Sequence, residues 1–325
     1  MPFRLAIAAL AAVALALPAA SPASAQDKLT VLLDWFVNPD HGPLIVAAEQ
    51  GLFAAEGLEV ELVAPSDPSL PPKLVAAGKA DIAVSYQPQL HLQVEAGLPL
   101  VRVGTLVATP LNCLLVRADG PIRSIADLKG ATVGYSVAGV EESLMTAMLG
   151  RAGLSLDDVT MINVNFALSQ AVLAGQVDAV IGAFRNFELT QMRLKGVEGR
   201  CFFVEEEGVP TYDELIYVAN RAALEDPEKR DALRRFLRAT ERATQAMVND
   251  PEATWEIFKG TDAKLDDALN RQAWLDTLPR FALRPSAVDV TRYRDFSAFL
   301  ADAGLISGAQ DPNVLAVDLG AEALE

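Results

Sequence analysis

The chain alternates short apolar segments with helical segments that end at glycine, and this alternation restricts the possible folds more than any other feature. Val-, Ile- and Leu-rich segments with the length of buried strands lie at 29–33, 58–63, 81–84 and 100–107. The helical segments between them end at Gly51, Gly78 and Gly97, and glycine closes helices because it adopts left-handed backbone conformations. The pattern predicts an α/β fold with a mostly parallel sheet and helices on both faces.

A second series of alternating segments follows the first. Its strands are predicted at 112–116, 132–135, 159–164, 177–181, 202–204 and 215–219. The first and last of these are candidates for crossings between two domains. From residue 221 onward, apolar residues recur at helical spacing. We therefore expect residues 26–115 together with 220–325 to form a first lobe, and residues 116–219 to form a second.

Two segments of the chain, 73–84 and 170–181, are similar to each other. Each contains a helical stretch, a glycine, a polar residue, an apolar residue, an aspartate and a strand. Two lobes built on one βα scheme would produce this similarity, but ordinary helix–glycine–strand junctions also have this appearance. The sequence leaves both explanations open.

The first 25 residues have the layout of a signal peptide. Arg4 precedes an apolar run at 5–17, Pro18 interrupts it, and Ala23, Ser24 and Ala25 form a small-residue cleavage site. Export to the periplasm is therefore expected, with the mature chain beginning near Gln26; a retained amphipathic anchor is the alternative. The roughly 300 remaining residues suffice for about two domains. No later apolar run has the length of a transmembrane helix, so no membrane insertion is expected after cleavage.

Charge and cysteine content exclude some classes of function. The chain has 27 basic and 43 acidic residues and a net charge of −16, which argues against nucleic acid and anionic lipid as partners. Cys113 and Cys201 either form a disulfide, which an oxidising compartment permits, or remain buried thiols. Their number and spacing give no zinc-site pattern, and we expect neither a metal nor a cofactor.

A short polar connection follows the first predicted strand. It brings together Asp34, Trp35, Asn38 and His41, four side chains able to contact a ligand. In open α/β sheets, ligands bind beyond the carboxyl ends of the strands. The sequence therefore predicts a binding site at this connection. His41 is not expected to bind metal, because His91 is the only other histidine and has no paired spacing.

These residues and several later motifs resemble one known family, that of thiamine-pyrimidine synthases and pyrimidine-precursor binding proteins. The motifs that carry the resemblance, from about residue 29 to residue 250, are Asp34-Trp35 with Asn38-Pro39 and His41, Ala47-Ala48-Glu49-Gln50-Gly51-Leu52-Phe53, Glu56-Gly57-Leu58, Gly78-Lys79-Ala80-Asp81 and Gly182-Ala183-Phe184-Arg185-Asn186-Phe187-Glu188. The resemblance is greatest to exported solute-binding components of ABC importers. It implies a two-lobed, type II periplasmic binding protein fold that closes on its ligand by a hinge.

The synthases of this family imply an enzymatic alternative. The resemblance implies that they use a histidine matching His41, a lysine that binds pyridoxal phosphate, and a cysteine-rich run before the second crossing strand. Here Ser85 stands at the lysine position, and no cysteine cluster precedes residue 215. Because two of these three requirements are missing, we expect a binding protein and no enzyme.

The resemblance and the strand ends together give a set of candidate ligand-binding residues. The set comprises Asp34, Trp35, Asn38, His41, Ser85, Tyr86, Ser136, Gly139, Asn186 and Glu188. Trp35 and Tyr86 would sandwich a flat heteroaromatic ring, and Glu188 would accept hydrogen bonds from the amino edge of an aminopyrimidine.

Each of these residues also has a purely structural explanation. Trp35 could be an indole at the edge of the core, Glu188 a solvated residue at a helix start, and Asn186 a helix cap. The turn formed by Ser136 and Gly139 could hold an anionic or carbonyl group, or could simply cap its helix. Glu141 and Glu142 in that helix's first turn are read as acids favoured by the helix dipole.

The sequence thus predicts a monomeric periplasmic binding protein that delivers a thiamine pyrimidine precursor, of the hydroxymethyl- or formylaminopyrimidine type, to an ABC permease and ATPase. The same fold could instead bind riboflavin, an alkanesulfonate or another aromatic compound. In a third class of function, the protein would act as the binding partner of an extracytoplasmic receptor.

Overall fold

The computed structural model describes residues 26–320, and their strands form two five-stranded sheets. The first sheet has the order β2-β1-β3-β10-β4 and the second has the order β7-β6-β8-β5-β9. The strands, in chain order, are β1 (Asp27–Leu32), β2 (Leu58–Val63), β3 (Ile82–Ser85), β4 (Leu100–Val107), β5 (Asn112–Arg117), β6 (Thr132–Tyr135), β7 (Thr160–Asn163), β8 (Ala179–Phe184), β9 (Gly199–Phe203) and β10 (Leu215–Asn220).

In each sheet one strand runs against the others, and it is the strand that arrives from the other sheet. β10 is antiparallel to β3 and β4, and β5 is antiparallel to β8 and β9. The other four pairs are parallel, so both sheets are mixed, with four of the five strands in each running in one direction. The predicted α/β fold is confirmed. The sheet changes just before β5 and just before β10. Both crossings therefore lie slightly earlier than the expected boundaries at 115/116 and 219/220.

Helices cover the sheets and form most of the C-terminal region. The helices, in chain order, are α1 (Gly42–Glu49), α2 (Leu52–Ala55), α3 (Pro71–Ala76), α4 (Gln87–Glu95), α5 (Val140–Arg151), α6 (Leu168–Leu173), α7 (Glu188–Leu194), α8 (Pro227–Asn249), α9 (Pro251–Lys259), α10 (Ala268–Thr277), α11 (Val290–Asp302) and α12 (Pro312–Leu315). Helix α8 begins after Asp226, whose carboxylate accepts from two backbone amides, and it packs on α1 and α2. Phe53 and Phe236 stack at this contact with ring centroids 5.4 Å apart.

The two similar segments 73–84 and 170–181 occupy equivalent places in the two sheets. They contain α3 with β3 and α6 with β8, and each strand is the third in its sheet order. Asp81 accepts from the Thr30 amide at 2.8 Å, and Asp178 accepts from the Thr132 amide at the same distance. The similarity therefore reflects one βα scheme used in both lobes.

The two crossings lie side by side and are joined by a buried carboxylate. Glu214, just before β10, accepts hydrogen bonds from the backbone amides of Leu111 and Asn112, the latter at 2.9 Å. The Tyr212 hydroxyl donates to the same carboxylate at 3.1 Å. Burial raises the pKa of Glu214 to about 7. The crossings thus form one hydrogen-bonded unit between the sheets.

The structure decides between a disulfide and two buried thiols at Cys113 and Cys201. Cys113 on β5 and Cys201 on β9 are disulfide-bonded, with Cα atoms 5.5 Å apart. The bond links adjacent antiparallel strands of the second sheet, 88 residues apart in sequence.

Two predictions concern membranes. The predicted signal peptide, residues 1–25, lies outside the described residues. Among residues 26–320, none of the helices combines the length and the apolar character that crossing a bilayer requires.

Candidate ligand-binding cleft

A small cleft lies between the two sheets, at the carboxyl ends of β1, β3, β6 and β8. The first sheet contributes side chains that follow β1 and β3, and the second contributes the rest. The lining residues are Asp34, Trp35, Asn38, Asp40, Tyr86, Asn112, Val137, Val140, Glu141, Leu168, Gly182, Phe184, Phe187 and Glu188. This location is the one that open α/β sheets generally use for ligands.

Asp34 is held in a fixed orientation by two neighbouring side chains. The Asn38 amide donates to His41 Nδ1 at 3.3 Å, which leaves His41 Nε2 to donate to Asp34 Oδ1 at 2.9 Å. Tyr86 donates its hydroxyl to Asp34 Oδ2, also at 2.9 Å. Burial and the Asp34 charge raise the pKa of Tyr86 well above its usual value, so its hydroxyl stays protonated. Both oxygens of Asp34 therefore have a partner, and its carboxylate forms a preorganised part of the cleft wall.

Trp35 belongs by sequence to the first lobe but packs on the second. Its indole meets the Phe166 ring edge-on, with centroids 4.6 Å apart, and lies in an apolar cluster with Leu115 and Leu168. Phe36, beside it, approaches the Phe187 ring at 5.9 Å. An aromatic contact thus spans the two lobes and forms one side of the cleft.

Two further buried carboxyl groups, those of Asp40 and Glu188, line the cleft. Glu188, the first residue of α7, accepts from the Phe184 amide at 2.8 Å. Its pKa rises to about 7, chiefly because of burial and also because of the nearby Asp40. Burial raises the pKa of Asp40 to about 6, although Asn186 and Thr277 donate to its Oδ1 at 2.7 and 2.8 Å.

A third buried carboxyl group, Glu141, lies at the start of α5. Its Oε2 accepts from the backbone amides of Ser136 and Val137, the latter at 3.0 Å. Burial raises the pKa of Glu141 to about 8 despite these two bonds. Gly182 lies against its other oxygen, with φ of +94°, and a Cβ there would meet Glu141 Oε1 at 2.0 Å.

Five of the ten predicted site residues line the cleft, and five do not. Asp34, Trp35, Asn38, Tyr86 and Glu188 line it. The residues outside the lining are His41, Ser85, Ser136, Gly139 and Asn186.

Local contacts explain why these five residues do not line the cleft. His41 has no exposed surface, because the 3-10 helix Pro39–His41 turns its ring back toward Asp34. Ser85 donates to Gln89 at 2.9 Å, and Asn186 donates to Asp40 and Thr277. The turn 136–139 caps α5 through Glu141 and Glu142, so its amides are occupied.

The sequence analysis missed several lining residues. Asp40 sits inside the polar connection, and its proximity to Asn38 was the available signal. Glu141 was read as an acid favoured by the helix dipole. Asn112, whose Oδ1 accepts from the Gly182 amide at 3.1 Å, lies within an apolar strand and gave no signal.

Comparison with solved structures supports the predicted fold. The alkanesulfonate-binding protein SsuA from Xanthomonas axonopodis pv. citri bound to MOPS superposes with a TM-score of 0.70 at 17% identity, over 92% of this chain and 99% of that chain. This likeness confirms the periplasmic binding protein fold and carries no information on the ligand.

Sequence comparison confirms the family resemblance. A Haemophilus influenzae protein whose name refers to thiamine biosynthesis is 50% identical over 299 residues, 92% of this chain and 94% of that protein. The formylaminopyrimidine-binding protein of Halalkalibacterium halodurans is 36% identical over 239 residues, 74% of this chain and 72% of that protein. The family description "NMT1/THI5 like" matches residues 38–254. With two thirds of its length matched in this way, the chain belongs to the NMT1/THI5-like family.

Proposed function

We propose that this protein is the periplasmic solute-binding component of an ABC importer and that it binds a thiamine pyrimidine precursor of the hydroxymethyl- or formylaminopyrimidine type. One observation carries the proposal. A cleft between two lobes combines aromatic side chains with buried carboxyl groups, in a chain 36% identical to a formylaminopyrimidine-binding protein.

The lining residues suit an aminopyrimidine. Trp35 and Tyr86 offer aromatic surfaces to a flat ring, and offset stacking contributes about 0.5–1.5 kcal/mol beyond the buried area. Glu188 uses one oxygen for the Phe184 amide, which leaves Oε1 to accept from the exocyclic amine of the ligand. A carboxylate can also accept from a protonated ring nitrogen beside that amine, as a paired and charge-assisted contact.

The charge of the cleft argues against the alkanesulfonate alternative. Asp34, Asp40, Glu141 and Glu188 line it, and none of the lining residues is Lys, Arg or His. A sulfonate entering this cleft would face buried carboxyl groups without a compensating cation. A neutral or cationic heterocycle would meet acceptors that match its N–H groups.

The arrangement supports binding and argues against synthesis of a pyrimidine. Ser85, at the position of the synthase lysine, is buried and bonded to Gln89. His41 is enclosed behind Asp34 and does not line the cleft. Both cysteines of the chain are held in one disulfide, so no cysteine cluster is available. We propose that the protein acts as a monomer, with the ABC permease and ATPase as its partners.

Native mass spectrometry of the purified protein, followed by calorimetric titration, tests the proposal. We expect a bound mass of an aminopyrimidine, or submicromolar binding of hydroxymethylpyrimidine or formylaminopyrimidine. Glu188→Gln should weaken that binding about tenfold or more, because a charge-assisted acceptor is lost. Binding of riboflavin or an alkanesulfonate in preference to both pyrimidines would overturn the proposed ligand.

A further inference from the structure

We propose that Glu141 fills the anion-binding position at the start of α5 and thereby excludes phosphate esters from the cleft. This inference rests on the proposed function, since it specifies that the pyrimidine ligand is unphosphorylated. It assigns a role in specificity to a residue that the sequence analysis had linked only to the helix dipole.

The start of α5 has the elements of an anion site. Successive backbone amides at a helix N-terminus point toward the ligand, and the helix dipole favours negative charge there. Helix α5 spans twelve residues, Val140–Arg151, and both Val137 and Val140 line the cleft. A phosphate group in the cleft would therefore find amide donors here if they were free.

The amides of this turn are all occupied by side chains of the protein. Glu141 Oε2 accepts from Ser136 and Val137, and Glu142 accepts from Gly139. The Ala138 amide donates to Ser69 Oγ at 3.4 Å. The carboxyl group of Glu141 thus takes the place that a ligand phosphate would need.

The opposite wall of the cleft accommodates Glu141 specifically. Gly182 on β8 leaves room for Oε1, which would lie 2.0 Å from a Cβ at that position. Because Gly182 also has a left-handed φ of +94°, its backbone and its lack of a side chain both fit this contact. Two elements, α5 and β8, therefore hold the carboxyl group in the cleft wall.

Electrostatics add to this steric exclusion. A phosphate ester carries a charge of about −1.5 to −2 at pH 7. In the cleft it would approach the carboxyl groups of Asp34 and Glu188, with no Lys, Arg or His among the lining residues to compensate. A free hydroxymethyl or formylamino group avoids this cost.

Inorganic phosphate is a probe that does not depend on the identity of the natural ligand. Glu141→Ala frees the amides of Ser136 and Val137 toward the cleft, so we expect phosphate to raise the melting temperature of this variant and to bind measurably by calorimetry. Glu142→Ala is the matched control, because it frees the Gly139 amide of the same turn outside the lining residues. The wild type and Glu142→Ala should show no phosphate binding. Equal phosphate affinity in Glu141→Ala and Glu142→Ala would overturn the inference.

A second measurement uses only the wild type, in case Glu141→Ala does not fold. Hydroxymethylpyrimidine should bind at least about tenfold more tightly than its phosphate ester, the factor expected when charged hydrogen bonds cannot form. Equal affinity for the two would overturn the inference and leave the proposed function intact. If neither compound binds, the proposed function fails, while the phosphate titration of the variants still decides the role of Glu141.

Discussion

Asn186 donates a hydrogen bond from Nδ2 to Asp40 Oδ1 across the cleft, at a distance of 2.7 Å. Asp40 follows β1 of the first sheet, and Asn186 follows β8 of the second. The same nitrogen also donates to Thr277 Oγ1 on α10. Both Asn186 and Asp40 are buried, and their contact joins segments that follow strands of different sheets.

Asn186→Ala should shift the protein toward an open arrangement. The variant loses about 1–3 kcal/mol of interaction between the lobes, because the buried Asp40 carboxylate loses a donor. We expect a larger radius of gyration in small-angle scattering and a faster ligand off-rate. Asn220→Ala is the control, since Asn220 bonds to Ala76 within the first lobe. Equal effects of the two substitutions would show that the Asn186 contact does not govern closure.

Tyr86→Phe should weaken ligand binding while keeping the ring. The substitution removes the hydroxyl that donates to Asp34 Oδ2, so the carboxylate loses one of its two side-chain donors. We expect about a tenfold loss of affinity, which corresponds to about 1.4 kcal/mol.

Tyr217→Phe provides the matched control for this experiment. The Tyr217 hydroxyl is buried and has no hydrogen-bond partner within residues 26–320, and Tyr217 is not a lining residue. Its removal should leave affinity unchanged and should not reduce stability. If Tyr86→Phe also leaves affinity unchanged, the orientation of Asp34 does not matter for binding.

Many strands were predictable from sequence because short segments containing Val, Ile and Leu alternate with helical segments that end at glycine. The segments 58–63, 100–107 and 132–135 were predicted with the bounds that the structure has. The site was predictable only in part. Glu188 could be placed at the cleft because it follows a strand end, but the direction of a side chain within a turn depends on backbone angles that residue types do not specify.

Two residues show this limit in opposite directions. His41 looks like a ligand contact, but the 3-10 helix that Asn38 caps turns its ring inward to Asp34. Glu141 looks like a surface acid in the first turn of a helix. The left-handed Gly139, with φ of +88°, reverses the chain so that the Glu141 carboxyl group faces the amides of Ser136 and Val137.

The unliganded protein should lose stability as the pH rises from about 5 to about 8. The pKa of Glu188 is about 7 in the folded protein and 4.5 ordinarily, so the folded state binds more protons between these values. Stability therefore falls with rising pH across that window, by about 1.4 kcal/mol for each unit of pKa difference. Asp40 and Glu141, with pKa values raised to about 6 and about 8, act in the same direction.

Chemical denaturation over this pH range measures the effect. Glu188→Gln removes one titrating group, so its stability should fall less steeply between pH 5 and pH 7. Glu49→Gln, at an exposed position on α1, should follow the wild-type profile. Superimposable profiles for Glu188→Gln and the wild type would contradict the raised pKa of Glu188.

Gly182→Ala should destabilise the protein through its contact with Glu141. The new Cβ would lie 2.0 Å from Glu141 Oε1, and alanine is also strained at a φ of +94°. We expect a loss of about 2–4 kcal/mol from the clash and the backbone strain together.

Adding Glu141→Ala to Gly182→Ala removes the clash but leaves the strain, so the double variant should be less destabilised than the sum of the two single variants. Gly175→Ala is the control, because Gly175 also has a positive φ but meets no atom within 4 Å. Strict additivity of Gly182→Ala and Glu141→Ala would mean that β8 does not hold the Glu141 carboxyl group in place.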